Sequence, residues 1–228
     1  MNKMIALVIC IFLSVGVSGC MKVSAEEEML QHMEEKYNEE FEIISKDTQA
    51  WSAGYAEMRV RSSKFPDASI IVRKTKETGT ISDNYVDYLM KKPIEEEFQA
   101  ILSQVYDNFK VIYLSGGTTL PEKAKPGMTV SEYSEVKNLP MTVQIAVEQD
   151  PANKDELVEK LRALLEEKQY RSELYIFYML DGKLAELDDS TANELFNGAT
   201  GKNWASLRGD FSMDRNYQFR TARWRELQ

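Results

Sequence analysis

An uncharged apolar run at residues 4–15 constrains this chain most: one positive charge, Lys3, precedes it, and the small residues Ser18 and Gly19 follow. That order is the three-part layout of a secretory signal. About a dozen residues make a helix of ~18 Å at ~1.5 Å per residue. A bilayer core of ~30 Å needs about 20 residues. A cleaved leader therefore fits better than a permanent spanning helix, and the rest of the chain is expected to fold outside the cytoplasm.

The leader closes on an aliphatic residue, two small residues and a cysteine: Val17, Ser18, Gly19 and Cys20. This stretch resembles the lipobox of bacterial lipoproteins. The resemblance covers only these first residues, and it implies a diacylglycerol on the sulfur of Cys20 and cleavage between Gly19 and Cys20. Small side chains admit a peptidase to the backbone, and a thiol is a good nucleophile for taking a lipid. Two acyl chains give stable anchoring where one would not. The implied layout is a signal at 1–19, a lipidated tether at 20–25 and an extracytoplasmic domain at 26–228. The expected location is the cell membrane, lipid-anchored and facing out of the cytoplasm. Cys10 leaves with the leader, and Cys20 is the only other cysteine. A lipidated chain then has no disulfide and must stand on its core. Roughly 200 residues suffice, since chains of that size bury around 70% of their unfolded surface.

Periodicity gives the fold class. Ser24 with Glu27 is a capping box that opens a helix to about Asn38, with Met29, Leu30, Met33 and Tyr37 as its apolar stripe. A strand is expected at 40–45. Residues 53–62 alternate, with Ala56, Met58 and Val60 on one face; a turn at 64–67 returns the chain as a strand with Ile70 and Val72 inward. Residues 79–83 read as a break and 84–108 as helix, kinked or restarted at Pro93. Residues 110–115 predict a strand buried on both faces, and 116–127 a loop. A capped helix from Thr129, a strand at Met141 to Val147 and a helix started by Asp150-Pro151 follow. Ser172 to Leu180 reads as a central strand, 190–196 as one or two helical turns, and 217–225 as a closing edge strand. The pattern predicts an α+β fold, a largely antiparallel or mixed sheet packed against helices, with a division into lobes 26–116 and 128–228 at the loop.

Most chemistries with local signatures find no support. His32 is the one histidine, so a histidine pair for zinc is excluded. His32 with Met29 and Met33 offers soft donors, but core packing explains both methionines better. No Gly-x-Ser-x-Gly is present. Ser115-Gly116-Gly117-Thr118 has the composition of an amide nest for an anion and reads better as a flexible loop. The run 198–202 is too short for a phosphate loop, and Asp181, Asp188 and Asp189 fit no calcium loop. No metal site and no cofactor are expected. A net charge of −9 makes nucleic acid an unsuitable partner.

Charge is segregated, however: residues 202–228 hold six basic residues against three acids. Trp204, Arg208, Arg215, Arg220, Arg223, Trp224 and Arg225 form the candidate partner-binding surface, because arginine with aromatics favours stacking, cation–π contact and paired hydrogen bonds to anions. The competing account is an amphipathic edge strand whose aromatics fill the core and whose arginines pair with the domain's own acids. Function is expected to be non-enzymatic: a binding or scaffold module at the cell envelope, with an envelope protein or an anionic polymer as partner. The alternative is a lipid-anchored cell-wall hydrolase using a carboxylate pair.

Overall fold

A computed structural model describes residues 24–47, 50–188, 190–195 and 200–227. Val17, Ser18, Gly19 and Cys20 lie outside the described residues.

The first helix, α1 (Ala25–Tyr37), opens with the expected capping box: Ser24 Oγ accepts from Glu27 N, and Glu27 Oε2 accepts from Ser24 N at 2.8 Å. Together these satisfy two of the orphan amides of the first turn. Met29 and Met33 are wholly buried. A four-stranded antiparallel meander follows in chain order: β1 (Phe41–Asp47), β2 (Tyr55–Ser62), β3 (Phe65–Thr75) and β4 (Ile81–Asp83). Met58, Val60, Ile70 and Val72 face the core as the alternation requires. The hairpin turn falls at Ser63 and Lys64, so Phe65 and Pro66 belong to β3 rather than to the turn expected at 64–67. The break expected at 79–83 includes β4, whose three residues pair with β3.

The helical run splits at Met90 into α2 (Tyr85–Leu89) and α3 (Lys91–Leu102). The restart precedes Pro93, leaving the proline in the first turn of α3, where its missing N–H costs least.

The second sheet has the order β5 (Phe109–Tyr113), β6 (Met141–Val147), β7 (Ser172–Met179), β8 (Ala205–Met213), β9 (Phe219–Glu226). Its pairs are antiparallel except β6 with β7, which is parallel. Parallel neighbours need a crossover, and α5 (Lys154–Glu167) supplies it. Before β6 comes α4 (Val130–Lys137), capped by Thr129 and Glu132; after β7 comes the short α6 (Lys183–Glu186). The fold is therefore α+β, with one antiparallel and one mixed sheet packed with helices. β7 is central, as its two-sided apolarity requires. β5 is an edge strand, yet Ile112 and Tyr113 are buried on its two opposite faces, as its apolar run predicts, while Val111 and Leu114 beside them are half-buried.

One apolar cluster runs from Met33, Met58 and Ile70 through Phe98 of α3 to Val143 and Ile176 of the second sheet. Leu120 and Ala124 of the 116–127 loop are buried in that same cluster. A smaller cluster covers part of the opposite face of the second sheet: Ile112, Phe177 and Met179 under Leu184, Leu195 and Trp204. Among the described residues this cover spans only part of that face, and the site lies beside it.

Candidate functional site

β8 and β9 form a hairpin in which Arg208 stands opposite Arg225 and Asp210 opposite Arg223. Side chains alternate across a strand, so Arg208 and Asp210 share a face of β8, and Arg223 and Arg225 share the matching face of β9. All three guanidiniums converge on one carboxylate. Asp210 Oδ1 accepts from Arg208 Nε at 2.7 Å; Oδ2 accepts from Arg223 Nε at 3.2 Å and from Arg225 Nη2. The Asp210 side chain is 8% exposed, whereas those of Arg223 and Arg225 are 59% and 48% exposed. Burial pushes the Asp210 carboxyl up, but the hydrogen bonds from Arg225 and Arg208 outweigh it and hold the group below the ordinary aspartate value.

Arg208 lies over two rings of β7, its guanidinium carbon 5.1 Å from the centroid of Tyr175 and 5.5 Å from that of Phe177. Tyr175 donates to Glu173 at 2.8 Å; burial, with that bond, pushes the phenol up to about 12. Glu173, Tyr175, Arg208, Asp210, Ser212, Thr221 and Arg223 line a cleft of about 210 Å³.

The other residues of the candidate surface lie elsewhere. Trp204 is buried in the outer-face cluster and donates Nε1 to Glu194 at 2.8 Å. Trp224 sits on the opposite face of β9, against Phe211 and Tyr178, with ring centroids at 5.0 and 5.7 Å. Its Nε1 donates to Asp155 of α5. Gly209 stands opposite Trp224, and a Cβ there would lie 2.4 Å from the indole ring. Arg215 lines a separate cleft with Arg171, Gln169 and Tyr217. Arg220 is exposed. The structure thus gathers Arg208, Arg223 and Arg225 and separates them from the tryptophans, Arg215 and Arg220. It adds Asp210, which sequence reasoning missed because no strand was expected at Ala205–Met213.

No family model matches the chain, and no curated protein is similar to it. A crystal structure of a DUF5037 family protein from Ruminococcus gnavus is similar at a TM-score of 0.41 and 13% identity, over 85% of this chain and 93% of that one. A likeness at that level carries no functional argument.

A second polar cluster is enclosed between α2, β5 and α4. Asp87 accepts from Lys137 Nζ at 2.9 Å, from Tyr113 at 2.5 Å, from Tyr133 and from the amide of Gly116 at 2.6 Å. The Gly116 amide, in the stretch whose composition suits an anion nest but which reads better as a flexible loop, is therefore committed to an internal carboxylate. Burial, then the Asp87 charge, raises both phenols far above their ordinary value. Asp83 is held similarly, by Lys36 at 2.8 Å and Tyr37 at 2.6 Å. Met29 and Met33 pack in the core. His32 flanks them half-buried; its Nε2 is buried and without a partner among the described residues, and burial lowers its basicity. No group of three His, Cys, Asp or Glu side chains among the described residues is placed to hold a metal ion, and none of their helices is long and apolar enough to cross a membrane.

Proposed function

We propose that the protein is a lipoprotein of the cell envelope, anchored through a diacylglycerol on Cys20 and facing out of the cytoplasm. Its α+β domain serves as a non-enzymatic binding or scaffold module for an anionic partner. The observation that carries this reading is the trio Arg208, Arg223 and Arg225 converging on the carboxylate of Asp210, with Arg223 and Arg225 half exposed. Like charges placed opposite each other on neighbouring strands are unfavourable, and an incoming anion relieves that repulsion. The interior carboxylates support binding over hydrolysis by a carboxylate pair: Asp83, Asp87 and Asp210 each accept from a lysine or arginine.

The test is crosslinking in intact cells followed by capture of the tagged full-length chain. Arg220, Arg223 and Arg225 replaced together by glutamine should leave the folded fraction unchanged and lose the crosslinked partner. Retention of the partner by that variant would count against the arginine face as the contact.

A further inference from the structure

We infer that the cleft beside Asp210 is a site for a phosphate group, presented by Arg223, Arg225 and the hydroxyls of Ser212 and Thr221. The inference rests on the binding-module reading and names the ligand class that reading leaves open. Asp210 draws only Nε from Arg223 and only Nη2 from Arg225. About half of each side chain is in solvent, and each keeps N–H groups that Asp210 does not use. Ser212 and Thr221 stand opposite each other two positions further along the ladder and line the cleft with Arg223, while Arg225 stands beside it.

Charge and shape both select phosphate. Three guanidiniums against Asp210 and Glu173 leave the face one positive charge in excess, so a singly charged group balances it. A carboxylate is planar and satisfies one fork. Here Arg223 and Arg225 bring two separate forks to one oxygen of Asp210, with hydroxyls beside them, so the donors are spread over more than one group. A tetrahedral group, with oxygens directed several ways, meets that spread where a planar one does not. The cleft, about 210 Å³, is smaller than the ~300–1,000 Å³ typical of whole-ligand pockets. It admits a headgroup-sized anion. Arg208, packed on Tyr175 and Phe177, fixes the inner wall and keeps Asp210 oriented.

The experiment is calorimetric titration of the full-length protein in zwitterionic detergent micelles with three probes: inorganic phosphate, a glycerol phosphodiester and an acidic peptide of aspartates. Wild type should bind one or both phosphates more tightly than the peptide. Tighter binding of the diester assigns a lipid or polymer headgroup as the source, and tighter binding of inorganic phosphate assigns the free ion. Arg223→Gln with Arg225→Gln should weaken phosphate about tenfold or more, as expected for lost hydrogen bonds between charged groups. Arg220→Gln should bind like wild type. Arg223→Lys, which keeps the charge and loses the fork, should fall between. Tighter binding of the peptide overturns the phosphate assignment while leaving the binding-module reading in place. Equal phosphate affinity in wild type and the Arg223/Arg225 double variant, or none in wild type, overturns the site itself. Crosslinked capture of a partner through other residues would then show whether the module reading survives.

Discussion

Arg208 and Arg225 stand directly opposite each other across the β8–β9 ladder, and both donate to the carboxylate of Asp210. The pair is tolerable only because that carboxylate lies between them. It makes the hairpin's stability and its surface charge two aspects of one arrangement.

Asp210→Asn should therefore destabilise the protein by about 2 kcal/mol, below the ~3–5 of a fully buried pair because Arg223 and Arg225 are half in solvent. The folded-state carboxyl is held below its unfolded value. Its contribution is thus fully present above the ordinary aspartate pKa of about 3.9 and is lost as pH falls through the lower folded value. Urea midpoints measured from pH 7 down to pH 2 should show a wild-type decline that the variant partly lacks.

Lys137→Met leaves Asp87 charged in an enclosed site and should cost about 3 kcal/mol. Asp87→Asn added to it should recover part of that loss, because the amide still pairs with Tyr113 and Tyr133. A double-mutant cycle by urea denaturation checks both the sign and the coupling; additive losses would mean that the lysine and the carboxylate act independently.

Gly209→Ala should destabilise by about 1–3 kcal/mol through overpacking. The new methyl would meet Trp224 at 2.4 Å and the Phe211 ring at 2.5 Å. The indole fluorescence maximum should shift as Trp224 gives way, and an unchanged spectrum with unchanged stability would contradict the described packing.

Much of the fold was legible because local rules and tertiary packing agree. Ser24 with Glu27 closes the capping box its spacing predicts, Thr129 rather than Ser131 caps the later helix, and the Met58–Val60 alternation faces the core. β8 was not legible. Gly209 interrupts its alternation, and its outward residues Arg208, Asp210 and Ser212 are polar, so no apolar face marks it as a strand. Without β8 the arginines could be seen as a basic, aromatic tail but not as a trio around one carboxylate. The apolar run of β5 showed that both its faces are covered, at Ile112 and Tyr113, but could not show that it pairs only with β6. Asp87 was hidden because a lone acid in an apolar helical run reads as solvated, and its partners come from Tyr113, Tyr133 and Lys137, far along the chain.

In the proposed arrangement a lipid on Cys20 holds the arginine-bearing domain at the membrane. Intact-mass spectrometry of the protein extracted from the membrane fraction is the decisive test. The prediction is a chain that begins at Cys20 and carries the added mass of a diacylglyceryl group. An unmodified N-terminal residue, or a chain that retains residues 1–19, would contradict it.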